Sequence, residues 1–543
     1  MVFARRSTTL LAAIIASCAM VLSLTACTSD NKTVVDGQTT VTSNSAGGVA
    51  VFTPSDGITL NQQTPLNKWA KLVPDLAKAL ADAGFKKGDI DHTTSDSLAK
   101  QSRAIQDFVV DHLSNNTTDD SGIAIAPDNM TLLVAPVVEA DASTRQYGDY
   151  ISQNLSTNDA TDGEATSDGE SSEDDSSKDD SSNTESDSTA SDEQAQAVDR
   201  LVSSLKLAKE SGMHVVLLGN SIEGYKPDAF VKFSDAQTIG KLQAEKMVSK
   251  LKLDKASKDN PKYIEVLLPY TAVDEKGNAN DSTFAQEAFR GIWQVLGSYY
   301  QKGVVESPSG TLDGKSTEND WQAVAYDAAK EGSTAKVLDK RLAKTDGQST
   351  LTRIDGIITM NDYIASEVVK ELDDLGYTGS AADINPQITI SGIVGNITGK
   401  KDLSRDAVPD PIKSPENDNA NDSSSSDDDV DEDTSASDKD RDSQWPLVTG
   451  YGAYVSNIPS IVNGKQWMTG MEDRQTIATD IAQACAKLNK DEALNSMPSI
   501  RSSEVGGVKK IPTISEPLLA VSASNLKSAL IDPGYISLAD AGL

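Results

Sequence analysis

With 82 acidic against 49 basic side chains in 543 residues, the chain carries a formal charge of −33 and lacks the clustered lysines and arginines that a phosphate backbone demands, which excludes nucleic acid as a partner. Most of the acidity is local: residues 159–193 contribute −13 and residues 416–442 contribute −10, leaving the body near −10. A chain of this length is expected to form at least two domains, each large enough to bury its own core.

The first residues read as an export signal. Arg5 and Arg6 precede an apolar run from Leu10 to Leu24, and Leu24-Thr25-Ala26-Cys27 then has the form of a bacterial lipobox. The run is shorter than the roughly 20 residues a membrane span needs. Cys27 is therefore the expected lipidation site, after a signal peptide over residues 1–27. Ile15-Ala16-Ser17-Cys18 fits the same pattern, but cutting there would leave Ala19–Leu24 as an exposed apolar stub. Cys485 then has no partner, so no disulfide is expected despite an oxidising compartment. Residues 28–47 are rich in Ser, Thr, Asn and Gly and read as a flexible tether.

From residue 48 strands and helices alternate. The run Val49–Pro54 predicts a strand. Leu66–Ala83 predicts a helix, with apolar positions at Trp69, Leu72, Val73, Leu76 and Leu80 and a stop at Gly84. Pro74 is a candidate kink. A helix over Leu98–Leu113 follows, then a buried strand over Met130–Pro136, a helix over Gln196–Ser211 and a strand over His214–Asn220. Asp235 stands in N-cap position for a helix over Ala236–Leu251. The later elements are strands at Tyr263–Pro269, Ile354–Met360 and Trp445–Tyr451. Helices are expected at Phe284–Tyr300, Glu318–Lys330, Ala335–Leu342, Tyr363–Leu375 and Arg474–Leu488. Gln387–Asn396 reads as a further strand of unassigned place. The alternation predicts βαβ units and an α/β fold with two Rossmann-like lobes, whose ligand site lies beyond the carboxyl ends of the strands.

The expected domain plan is an N-terminal lobe over 48–220, a C-terminal lobe over 221–450, and a return segment over 451–543 that completes both. Disordered acidic inserts are expected at 156–195 and 414–443, which lack the apolar residues needed to offset ordering entropy. Asp427, Asp429 and Asp431 superficially suggest a calcium loop, but its glycine and distal glutamate are missing. His92, His112 and His214 show no metal-ligand spacing. Gly314-Lys315-Ser316 fails as a phosphate loop because Ser309 stands where its first glycine belongs, and no Gly-x-Ser-x-Gly elbow occurs. No metal, cofactor or catalytic residue is expected.

Several stretches in order carry a resemblance: Lys68-Trp69, Gln101–Asp107, Leu132–Pro136, Ala208–Ile222, Phe233–Glu245, Ile357–Tyr377, Trp445–Ala453, Ile461–Asp473 and Lys509–Ser537. Together they resemble the periplasmic sugar-binding proteins of ABC importers, of the ribose and galactose type, especially the branch that binds xylose and several other monosaccharides. The resemblance implies a type I periplasmic binding protein fold joined by a hinge. It also implies a monomer that carries a small polar solute, a sugar, to an ABC permease from the outer side of the membrane. Carried over by position, Lys68 and Trp69 face the cleft from the first lobe, and Asn361 and Asp362 match the family's Asn-Asp pair. Asn280 and Asp281 lie near another contact loop. The chain departs from the family in having Gly219-Asn220 for an Asp-Arg pair, Gly452 after Tyr451 for a buried Asp, and Glu472 for a Lys. Each lost charged hydrogen bond costs about 1.5–3 kcal/mol. Asn220, Tyr451 and Glu472 complete the candidate ligand set, with Tyr451 and Trp467 available for stacking. The replacements motivate a rival expectation: a surface sensory or interaction protein that kept the fold and lost the sugar site. A third class, a glycan hydrolase, would need two carboxylates about 5–9.5 Å apart across a cleft.

Overall fold

Runs of valine and leucine bounded by capped amphipathic helices build two parallel sheets. The computed structural model describes residues 46–55, 65–115, 129–138, 145–157, 184–273, 279–328, 330–343, 350–381 and 444–543. The signal, Cys27, the tether up to Ser45, residues 158–183 of the first acidic insert, the whole second insert and the strand expected at Gln387–Asn396 lie outside the described residues.

The first lobe contains β1 (Gly48–Pro54), α1 (Trp69–Asp82), β2 (Ile90–Ser95), α2 (Leu98–Asn115), β3 (Met130–Val134), β4 (Asn154–Leu155), α3 (Thr184–Glu210), β5 (His214–Leu218), β6 (Ser221–Ile222) and β7 (Ala229–Lys232). The second contains α4 (Ala236–Leu251), β8 (Lys262–Val266), β9 (Leu268–Pro269), α5 (Thr283–Gln301), β10 (Val305–Glu306), α6 (Trp321–Val324), β11 (Ala325–Tyr326), α7 (Ser333–Arg341), β12 (Gly356–Ile358), α8 (Asp362–Leu375), β13 (Leu447–Val448), α9 (Ile458–Val462) and β14 (Met468–Met471). The chain then returns with α10 (Arg474–Leu488), β15 (Ile500–Val505), β16 (Val508–Ser515) and β17 (Leu519–Ser522).

The first sheet runs β15-β16-β7-β5-β3-β1-β2, and the second runs β10-β8-β12-β13. Within these two sheets the ladders are parallel except for the β15–β16 hairpin. Both lobes therefore wind in the same sense: the second strand lies outside the first, and the third begins the opposite direction. This is the doubly-wound order in which ligands sit at the switch point. Gly506 and Gly507 join β15 to β16 with φ of 54° and 76°, which a tight hairpin turn of primed type demands.

Each sheet is covered on both faces. Leu72, Leu76 and Leu80 of α1 and Ile477, Ile481 and Cys485 of α10 pack on one side of the first sheet; Ile105 of α2 and Leu201 and Leu205 of α3 pack on the other. In the second lobe α4 and α5 bury Ile239, Met247, Phe289 and Ile292 on one face. Leu338 of α7 and Val368 and Leu372 of α8 fill the other. The caps follow the local chemistry: Asp235 accepts from Thr238 N at 2.7 Å, and Gly376 ends α8 at φ 93°.

Several elements differ from the sequence reading. The edge strand β2 has no counterpart among the expected elements, because only Ser95 in it is buried. Strand β7 pairs with β5, so the first sheet continues through Lys232 rather than ending near residue 220. Helix α3 begins at Thr184, inside the stretch expected to be disordered. The helix expected over Glu318–Lys330 is the single turn α6, because Ala325 and Tyr326 instead pair with Leu268 and Pro269. Pro74 is accommodated inside α1.

Candidate functional site

The carboxyl ends of both sheets converge on the connections between the lobes: Phe233–Asp235 on the outward path and Glu472–Asp473 on the return. Helix starts supply most of the polar groups. Asn361 caps α8, accepting from Ile364 N at 2.9 Å. Its amide donates to Gln146 Oε1 at 3.1 Å across the gap. Asp362 is fully buried beside it and accepts from Gln466 Nε2 at 2.7 Å, Thr469 Oγ1 at 2.9 Å and Tyr454 N at 2.9 Å. Burial raises its pKa to about 6 against the pull of those bonds.

Tyr451 follows β13 and is fully buried. Its hydroxyl accepts from Asn67 Nδ2 at 3.0 Å and pairs with Ser234 Oγ. Glu472 accepts from Ser234 N at 2.5 Å, tying the return connection to the outward one. Burial drives Glu472 up to about 7, with the Ser234 bonds opposing. Trp69 lies edge-on to Tyr150 at 5.0 Å and to Phe233 at 5.7 Å, while Tyr150 stacks on Phe233 at 4.7 Å. Lys68 pairs with Asp149 at 2.8 Å.

Near these connections Lys68, Trp69, Asn361, Tyr451 and Glu472 are each engaged by other residues of the chain, and Asp362 lies next to Asn361. Asn220 sits at the margin, accepting from Gln153 N at 3.0 Å and donating to Pro136 O at 2.9 Å. Asn280 lies farther out, with its amide on Thr271 O at 2.9 Å. Asp281 caps Thr283, whose hydroxyl and amide hold its carboxyl below the usual range. Asp281 also lines a pocket of about 620 Å³ with Gln153, Asn154, Asp235, Gln237 and Glu287. Trp467 is buried in the second-lobe core.

Sequence reasoning missed the segment that enters the gap from the first lobe, Gln146–Tyr150. Tyr147 is 1% exposed, packs on Phe284 at 4.7 Å and stands 6.3 Å from the Tyr451 ring. Tyr454 donates its hydroxyl to Gln146 O at 2.6 Å. Trp69 N donates to Asp149 Oδ2 at 3.0 Å, which supplies the cap that Lys68 cannot give α1. Tyr150 donates to Lys68 O at 2.5 Å. The available signal was two tyrosines and a glycine in an otherwise polar run, Arg145-Gln146-Tyr147-Gly148-Asp149-Tyr150. Gly148 has φ 100°, and a Cβ there would lie 2.6 Å from Asn67 O.

Comparison with solved structures finds similar chains, each at low identity and with a TM-score below 0.5. The chain is similar to an ABC transporter solute-binding protein from Clostridium phytofermentans with bound β-D-glucose, at 17% identity over 91% of this chain and 99% of that one, with a TM-score of 0.44. It is similar to a carbohydrate transporter solute-binding protein from Chloroflexus aurantiacus in complex with D-glucose, at 18% identity over 92% and 98%, with a TM-score of 0.42. A periplasmic ribose ABC transporter structure from Conexibacter woesei matches at 13% identity over 90% and 96%, with a TM-score of 0.41. No family model and no curated protein matches the chain.

Proposed function

We propose that the chain is an extracytoplasmic solute-binding protein, anchored by lipid at Cys27 through the tether, that presents a sugar to an ABC permease as a monomer and performs no catalytic step. The observation that carries this reading is the convergence of polar and aromatic groups from both lobes on one gap at the switch points of two doubly-wound sheets. Lys68, Trp69, Asn361, Tyr451 and Glu472 would supply charge, amide, hydroxyl and ring faces to a guest whose hydroxyls each donate and accept. Asp362 would orient Asn361, and Asn220, Asn280 and Asp281 would reach a guest extending toward the outer pocket. The finer assignment is the branch binding xylose and other monosaccharides. Among the described residues no helix is long and apolar enough to cross a membrane.

Calorimetry and thermal-shift screens over monosaccharides and short oligosaccharides test this directly. At least one sugar should bind with micromolar affinity, and a complete absence of binders would end the reading. A specific observation favours a second one: Gln146, Tyr147 and Tyr150 already engage the groups a sugar would use. On that view the protein is a surface sensory or interaction protein. A protein partner recovered with the exported chain, together with unchanged sugar uptake on deletion, would select it.

A further inference from the structure

Four residues of one short segment each meet a different member of the candidate ligand set. Gln146 takes the amide of Asn361, the Tyr147 ring stands 6.3 Å from that of Tyr451, Asp149 pairs with Lys68, and Tyr150 meets Trp69 edge-on. The segment belongs to neither sheet, coming between β3 and β4. Its contacts nevertheless reach both lobes: Asn67 O and Trp69 N in the first, Phe284 and Tyr454 in the second. It offers hydroxyl, carboxamide and carboxylate groups beside ring faces, which can take the hydrogen-bonding and packing partners that a polyol's hydroxyls and C–H surface would take.

We infer that Gln146–Tyr150 is a built-in occupant of the interlobe site, which a solute must displace in order to bind. The inference rests on the solute-binding reading above and adds its regulation. Displacement must break the Asp149–Lys68 ion pair and the Asp149 cap on Trp69 N. Gln146, Gly148 and Asp149 are half-buried, and only the rings of Tyr147 and Tyr150 are deeply held. The cost appears as a reduced apparent affinity, because the site is free only in the fraction of molecules whose segment has left. A segment in place ten times as often as not weakens every sugar about tenfold. The same contacts bridge the lobes, so the occupant also holds the gap closed without a guest.

The test uses the full chain, Tyr147→Ala and, because Tyr147 is part of a core, the gentler Gln146→Ala. A monosaccharide and disaccharide panel is titrated into each, and hydrogen exchange is followed at the Asp149 amide, which donates to Asn67 O at 2.8 Å. For any sugar that binds, Tyr147→Ala should bind at least tenfold tighter and Gln146→Ala several-fold tighter. In the wild-type chain, bound sugar should speed exchange at Asp149. Unchanged or weaker affinity in both variants, with the Asp149 amide still protected in the sugar complex, would overturn the inference. If no sugar binds any form, the solute-binding reading fails and the occupant is judged on lobe opening. X-ray scattering without solute should then show a larger radius of gyration for Tyr147→Ala, and an unchanged value would refute the bridging role.

Discussion

Glu472 shows how burial turns one side chain into a pH-dependent contribution. Its carboxyl is 1% exposed, is desolvated more than it is compensated, and stands near 7 against an ordinary 4.5. A raised carboxyl binds more protons in the folded state than in the unfolded one. Its stabilising contribution is therefore complete below pH 4.5 and is lost as pH rises through 7. The difference corresponds to roughly 3 kcal/mol. Urea unfolding between pH 4 and 8 should show the wild-type chain losing stability relative to Glu472→Gln by about that amount; parallel curves would contradict the assignment. Asp362 acts in the same direction at lower pH, between 3.8 and about 6, and is present in both chains. At this scale the sequence was partly legible. Asn361 could be read as a helix cap from its place before Asp362, but nothing local indicated that its other face meets Gln146, 215 residues away.

Among the elements, the α4–α5 contact depends on two missing side chains. A Cβ on Gly240 would lie 2.2 Å from Ala288 O, and one on Gly291 would lie 2.0 Å from Gln237 O. Both clashes are with backbone and cannot be relieved by a rotamer change. Gly291→Ala should cost roughly 1–3 kcal/mol or more through forced separation of the helices. Gly314→Ala, whose Cβ would meet nothing closer than 3.5 Å, should stay within about 0.5 kcal/mol. Denaturant midpoints of the two variants decide the matter, and equal midpoints would refute the close crossing. Helices and buried strands were readable because their periodicity is local: α5 and the sequence reading agree to one residue at each end. Strands β2 and β7 were not, because an exposed edge and a four-residue run carry no pattern until a neighbouring strand pairs with them.

The whole molecule is closed by its last segment. Strand β17 pairs antiparallel with β14, and Val521, Leu526 and Leu530 are fully buried against Leu66, Ile458, Ile461 and Met471. Each such side chain contributes about 1.5–3 kcal/mol by burial. A chain ending at Pro517 should therefore melt well below the full-length protein and bind a hydrophobic dye that the intact chain excludes. An unchanged melting temperature would show that this cluster does not stabilise the fold.

The sequence by itself determined the α/β alternation, the capped helices and the buried parallel strands, because each rests on interactions within a few residues. Only the tertiary structure decided what stands in the gap between the lobes. Asn67 reaches Tyr451 across 384 positions, and Ser234 reaches Glu472 across 238. Contacts of that separation leave no periodic trace. Whether a polar residue faces a guest or another part of its own chain depends on which distant segment arrives opposite it.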